Sequence, residues 1–161
     1  MRYLLVAVIF SVGFISCGKD KFTSAPQIKF KSITSPYFSN SPNGVNPILI
    51  IELTDAEGDF GFEEGKDTSY VYVKNVKAPF KLDSFKFPAA LSKALKNNFK
   101  GDIEVNLLGE GTGGTSALPG LPTGAARPYR DTIFYEVYVK DFAKNKSNVI
   151  RTADPILYTI F

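Results

Sequence analysis

The segment TIFYEVYVKD, residues 132–141, decides the fold class of this chain. Its apolar side chains form one row, at Ile133, Tyr135, Val137 and Val139. Alternation with a period of two residues is typical of a β-strand that buries one face. The segment therefore predicts a strand in a mainly β domain.

Other strand patterns lie on both sides of this segment. The stretch ILIIEL, residues 48–53, is nearly continuous in apolar and β-branched side chains, which suits the central strand of a sandwich. Alternating patterns predict further strands at residues 28–33, 69–76, 80–87 and 102–108. Residues 149–161 close the sheet, either as a strand pair or as one strand kinked near Pro155.

One segment has a helical pattern instead. Residues 88–101, PAALSKALKNNFKG, place Leu91, Leu95 and Phe99 at a spacing of four, between Pro88 and Gly101. This arrangement predicts a short helix. The expected architecture is an antiparallel immunoglobulin-like β-sandwich with one short helix.

Two segments are too rich in Gly, Pro, Ser and Asn for a regular pattern. Residues 35–47 break every periodicity, and residues 109–128 form a Gly-rich loop. A loop of this length is usually functional or mobile, and its own sequence cannot hold one conformation.

The N-terminus carries a secretory signal. Residues 1–16 have a positive charge at Arg2 and then an apolar run from Tyr3 to Phe10. That run is too short for a transmembrane helix, which needs about 20 apolar residues.

The signal ends at Cys17, the one cysteine of the chain. Phe14-Ile15-Ser16-Cys17 resembles a bacterial lipobox, in which the cysteine receives acyl chains such as palmitate and becomes the new N-terminus. The resemblance implies a covalent lipid on Cys17 and anchoring in the bacterial outer membrane. The following Gly18-Lys19-Asp20 resembles a tag that sends lipoproteins to the cell surface. Residues 17–26 would then be a lipidated tether and residues 27–161 one domain.

Composition excludes several function classes. The net charge of +3 is too small for a nucleic-acid-binding surface. The chain has no histidine, so it has no His-based triad, no imidazole acid or base and no ordinary zinc site. We expect no enzymatic activity.

The unusual chemistry lies in LTDAEGDFGFEEG, residues 53–65. Asp55, Glu57 and Asp59 alternate there, and Gly58 and Gly61 allow the backbone to wrap closely. Calcium takes roughly six to eight oxygen ligands, usually from closely spaced acids and carbonyls. The glycines stand at the wrong positions for an EF-hand. The alternative is a strand-to-strand turn in which Asp55 bonds to the backbone and the other acids are solvated.

Three segments together carry a family resemblance, namely residues 25–28 (APQI), 55–61 (DAEGDFG) and 139–148 (VKDFAKNKSN). They resemble Bacteroidota surface lipoproteins with an immunoglobulin-like or cadherin-like domain. The last motif is similar to the D-x-A-G-N-x-S-N corner of such domains, with Lys144 in place of the usual Gly. The resemblance implies binding or spacing, and it places Asp141 and Asn145 at the same end as the acidic loop.

A joint calcium site follows as a hypothesis. Asp55, Asp59 and Asp141 would be its ligands, with Glu57 or Asn145 as helpers. The competing interpretation is that both turns merely cap strands.

Two function classes remain open. The first is a lipid-anchored envelope interaction or structural module, stabilised by calcium, whose partners are the membrane and an envelope protein or glycan. The second is a surface glycan-binding lipoprotein accessory to an outer-membrane transporter. The second requires exposed aromatic side chains, and the candidates are Tyr70, Tyr72, Phe134 and Tyr138. Such residues are more often core residues of the second sheet.

Overall fold

The structure, a computed structural model, describes residues 22–61, 68–78, 81–87, 97–109 and 116–161. Within these ranges the chain forms ten β-strands: β1 (Gln27–Thr34), β2 (Tyr37–Ser39), β3 (Ile48–Asp55), β4 (Tyr70–Asn75), β5 (Leu82–Lys86), β6 (Phe99–Asn106), β7 (Tyr129–Ile133), β8 (Tyr135–Lys140), β9 (Ile150–Arg151) and β10 (Ile156–Ile160). The predicted signal peptide and Cys17 lie outside the described residues.

The first layer is an antiparallel sheet in the order β1-β3-β6. The central-strand prediction for residues 48–53 is therefore confirmed. Leu49, Ile51 and Leu53 point into the core and are fully buried, because β3 has a neighbour on each side and a second sheet beneath it.

The second layer combines two sets of paired strands, β5-β4-β8-β9 and β2-β10-β7. Only Phe134 separates β7 from β8, and residues 152–155 separate β9 from β10. The Thr152 N–H donates to the Tyr135 carbonyl at 2.9 Å across this junction. The sequence predicted one strand through residues 132–141, whereas the structure bends it at Phe134 so that its halves pair with different strands.

The pairing order is that of an immunoglobulin-like β-sandwich. Strands β1, β3 and β6 face a layer built from β5, β4, β7 with β8, β9 with β10, and β2. The chain crosses between layers at Ser35, which has a φ of 53°, and β2 then runs parallel to β10. The predicted fold class is confirmed.

The core lies between the two layers and is dominated by aliphatic and aromatic side chains. Its largest fully buried members include Tyr135, Phe60 and Phe85. The Phe60 ring contacts the edge of the Phe99 ring at 4.5 Å between centroids. These contacts supply the burial that stabilises a domain with no internal disulfide.

The short helix is not seen in the part of the chain that the structure describes. Residues 88–96 lie outside it, and Phe99 and Gly101, assigned to the end of the helix, belong to β6. Gly101 pairs with Leu53 and Phe99 packs against Phe60. Tertiary pairing with β3 therefore overrides the local helical spacing.

Two segments without a regular pattern are more ordered than the sequence indicates. Residues 35–47 contain β2. In the Gly-rich loop, Ala117 and Leu118 are buried, and the Tyr135 hydroxyl donates to the Ala117 carbonyl at 3.2 Å. Residues 117 and 118 are thus held by the core rather than by their own sequence.

Candidate metal centre

The acidic loop starts where β3 ends. Asp55 is the last residue of that strand and its side chain is fully buried. Asp55 Oδ2 accepts hydrogen bonds from the N–H groups of Gly58, at 2.5 Å, and Asp59, at 3.3 Å. Gly58 has a φ of 66°, a conformation that glycine adopts without strain. The turn predicted as the alternative interpretation therefore forms, but it uses one carboxylate oxygen only.

The site is unusual because it contains buried carboxylate oxygens that accept no hydrogen bond within the described part of the chain. Asp55 Oδ1 and Asp59 Oδ1 are buried, and neither accepts a hydrogen bond from any described residue. An ionised oxygen without a partner in the interior is strongly unfavourable. A proton or a bound cation would compensate such an oxygen, which makes this loop a candidate cation site.

A second turn packs against the loop. Asp141 follows β8, is fully buried, and accepts hydrogen bonds from the N–H of Asn145 at 2.7 Å and from its Nδ2 at 2.9 Å. The Phe142 N–H donates to the Asp59 carbonyl at 2.8 Å and joins the two turns. Lys144 has a φ of 68°, a left-handed conformation that Gly adopts without strain.

We call Asp55, Glu57, Asp59, Asp141 and Asn145 the acidic corner. One carboxylate oxygen from each of Asp55, Glu57 and Asp59 lies within 4.8 Å of the others. Asp141 is near enough to act on the charge of Asp59, while Asn145 serves mainly to hold Asp141. The structure thus brings Asp55, Glu57 and Asp59 together, with Glu57 at the exposed rim. Asp141 lies outside this group of ligand atoms, and both of its carboxylate oxygens already accept hydrogen bonds from Asn145.

The pKa values in the corner reflect burial first and the crowding of like charges second. Burial raises the pKa of Asp55 from 3.8 to about 6, although the hydrogen bond from Gly58 opposes the shift and the negative charge of Asp59 adds to it. The pKa of Asp59 is also raised, first by burial and then by Asp141. Each added negative charge makes ionisation of its neighbours harder.

This donor set suits a hard cation. All the side-chain donors are oxygen atoms, which Ca²⁺ prefers, and neighbouring carbonyls and water can complete its roughly six to eight ligands. The same cation would supply the missing partner of Asp55 Oδ1 and Asp59 Oδ1. The residues therefore fit calcium.

A further component of the site, the N-terminal segment, has no signal in the sequence. The Thr23 carbonyl accepts a hydrogen bond from the Ala56 N–H at 3.1 Å, and the Ser24 carbonyl accepts one from Asn145 Nδ2 at 3.4 Å. Backbone carbonyls can be supplied by any residue, so no motif marks them. Residues 23 and 24 are thereby joined to the acidic loop and to Asn145.

The aromatic candidates lie on the outer face of β4 and β8. Tyr70, Tyr72, Phe134 and Tyr138 are half-buried. Tyr72 and Tyr138 stack at 4.7 Å, and Lys146 Nζ lies 4.2 Å from the centroid of the Tyr138 ring. These rings are not the core of the second sheet, because Val71 and Val73 occupy that side of β4.

No helix among the described residues has the length and apolar character needed to cross a bilayer. Searches of protein-family models, curated proteins and solved structures find no match to this chain.

Proposed function

We propose that this protein is a lipid-anchored interaction or structural module of the cell envelope, without catalytic activity, whose domain is stabilised by calcium at the acidic corner. Cys17 would carry the lipid and hold the domain at the outer membrane, exposed at the cell surface. Its partner would be an envelope protein or glycan.

One observation carries this proposal, namely the two buried carboxylate oxygens without hydrogen-bond donors, Asp55 Oδ1 and Asp59 Oδ1. A solvated turn would leave its acids in contact with water, where they need no partner. Here the oxygens are removed from water and face further acids, so a bound cation is the simplest source of compensation.

The position of the acidic corner favours a structural role over catalysis. Paired carboxylates of a glycosidase face each other across a cleft that admits substrate. Asp55 and Asp141 are instead fully buried beneath two turns, and Asp141 is occupied by Asn145. A cation there would be held by the loop that follows β3, which the Phe142 N–H already joins to the turn after β8.

Calorimetric titration of calcium tests the cation site. The chain without its signal peptide and with Cys17→Ser should bind one equivalent, and Asp59→Asn should abolish binding. Asp102→Asn is the matched control, because Asp102 is a half-exposed acid that pairs with Lys31 on the first layer. Equal binding by the Asp59→Asn variant would refute the site.

Metabolic labelling tests the anchor separately. Cells given an alkyne-bearing palmitate should label the wild-type protein and leave the Cys17→Ser variant unlabelled. Protease treatment of intact cells should then remove the domain if it lies on the surface. Labelling of both proteins would contradict lipid attachment at Cys17.

A glycan-binding lipoprotein accessory to a transporter is the second candidate function. This function requires aromatic side chains that a sugar can reach. The candidate rings on the outer face of β4 and β8 are half-buried and not fully buried, which is compatible with this function. Cations lie over three of its rings: Lys140 over Tyr72, Lys146 over Tyr138 and Arg151 over Phe134. A sugar would have to displace them to stack on these rings.

A further inference from the structure

A groove crosses the outer face of β2, β10 and β7, away from the acidic corner. Its volume is about 720 Å³, a size that suits a ligand of several rings. Strand register arranges its lining in two rows. Leu157 lies beside Tyr37 and Thr132, and Thr159 lies beside Ser39 and Arg130. We call this feature the aromatic groove.

The first row concentrates exposed apolar surface. Six large hydrophobic side chains are exposed among the described residues, and three of them line this groove: Tyr37 (70% exposed), Phe161 (59%) and Leu157 (39%). Exposed apolar side chains that cluster in a concave site, rather than scatter singly, mark a binding surface.

Two of the aromatic rings that line the groove are held in place by contacts with each other and with the loop at Pro119. The Phe38 ring stacks on the Tyr158 ring at 5.5 Å with an interplanar angle of 8°. The Tyr158 hydroxyl in turn donates to the Pro119 carbonyl. Both rings line the groove, so its shape is fixed before any ligand arrives.

The second row is polar and positively charged. Ser39 and Thr159 present hydroxyl groups, Thr132 of the first row adds a third, and Arg130 is exposed. In the ranges that the structure describes, no ion pair or hydrogen bond engages the Arg130 guanidinium. Asp131, which also lines the groove, is already bound by Lys77. Burial raises the pKa of Asp131, but the hydrogen bonds from Lys77 and the Thr132 N–H outweigh it and lower the pKa overall.

The geometry points to an oligosaccharide that carries carboxylate groups as the ligand of the aromatic groove. The apolar faces of sugar rings can lie on Tyr37 and Phe161, while sugar hydroxyls bond to the Ser and Thr row. The Arg130 guanidinium can then take a carboxylate through two parallel hydrogen bonds. A purely apolar ligand would leave that guanidinium and the hydroxyl row without partners.

This inference does not depend on the calcium site, because none of the acidic corner lines the aromatic groove. It also places sugar binding on a patch of the second layer that does not include Tyr70, Tyr72 or Tyr138. The two patches can therefore be separated by substitution.

Saturation-transfer NMR and calorimetry with two matched probes test it, on the chain without its signal peptide and with Cys17→Ser. The probes are α-1,4-linked trigalacturonate and the neutral α-1,4-linked galactotriose. Trigalacturonate should bind and galactotriose should bind at least tenfold more weakly. Arg130→Gln should remove that preference, and Tyr37→Ala should weaken both probes about tenfold or more.

Two control variants remove side chains that do not line the aromatic groove. Leu82→Ala removes an exposed apolar side chain from β5, and Tyr138→Ala removes a ring that does not line the groove, so neither should change binding. Absence of binding by trigalacturonate, or binding unaffected by both groove variants, would overturn the inference. Concentration-dependent dimerisation lost in Tyr37→Ala would assign the groove to a second copy of the chain instead.

Discussion

Replacing Asp55 with Asn should stabilise the calcium-free protein at neutral pH, although Asp55 is fully buried. Asn keeps an oxygen to accept the Gly58 N–H and removes the negative charge from the acidic corner. In the wild type that charge has an oxygen without a donor and faces Asp59 and Glu57, with Asp141 beside Asp59. The variant therefore relieves an unfavourable ionisation.

The magnitude follows from the pKa of Asp55. A folded-state value of about 6, against 3.8 for the ordinary group, corresponds to about 3 kcal/mol of unfolding free energy. Because the folded pKa is the higher one, the folded state holds the proton more tightly. Calcium-free wild type should therefore lose stability as the pH rises from about 4 to about 6, and the loss should persist at higher pH.

Calcium should remove this penalty. At 100 times its dissociation constant, calcium adds about 2.7 kcal/mol to the unfolding free energy. For a domain of this size that corresponds to about 10 °C in Tm. Asp55→Asn should show a much smaller calcium response, because it lacks a carboxylate ligand.

Denaturant unfolding in chelator and in calcium, at pH 5 and pH 7.5, measures all of these quantities. Asp102→Asn is again the control, and it should follow the wild type under each condition. The reasoning is refuted if chelated wild type is as stable at pH 7.5 as at pH 5. It is also refuted if Asp55→Asn is less stable than wild type in chelator at pH 7.5.

Three further predictions concern stability in urea. Lys144→Gly should be more stable than Lys144→Ala by about 1 kcal/mol, because both lose the side chain but only Gly adopts the φ of 68° without strain; equal stabilities would contradict this. Asn148→Ala should cost about 1–2 kcal/mol, because its side-chain amide bonds to both the N–H and the carbonyl of Ile28 and closes the edge of β1. An unchanged midpoint would show that water replaces it. Tyr135→Phe should cost about 1–2 kcal/mol through the lost bond to the Ala117 carbonyl, and proteolysis within residues 116–128 should become faster; an unaltered cleavage rate would refute that restraint on the loop.

Much of the fold follows from period-two patterns. Residues 48–53 are nearly continuously apolar, as suits the central position of β3, and this pattern is visible in one sequence. The bend at Phe134 is not, because the alternation through residues 132–141 has no interruption there. It arises from pairing of one segment with two different strands, β10 and β4, which local spacing cannot encode.

The predicted helix failed at Phe99 and Gly101 for a related reason. A spacing of four apolar residues describes one helix face, but β3 offers those residues a full antiparallel ladder. Phe99 also gains a ring contact with Phe60. Such long-range pairing outweighs the small energies of local propensity.

The candidate site was partly readable from the sequence. The spacing of Asp55, Glu57 and Asp59 marked the loop, whereas Asp141 entered through family resemblance. The aromatic groove had no signal, because β2, β7 and β10 contribute to it from three distant parts of the chain. Only the sheet register brings Tyr37, Leu157 and Arg130 to one face.

The most direct test of the central claim is anomalous scattering from a calcium-soaked crystal of this domain. The account predicts one peak in the acidic corner, within about 2.3–2.6 Å of Asp55 Oδ1 and Asp59 Oδ1. An anomalous difference map with no peak at that position would contradict the account, provided that the calcium concentration is high enough to saturate typical protein calcium sites.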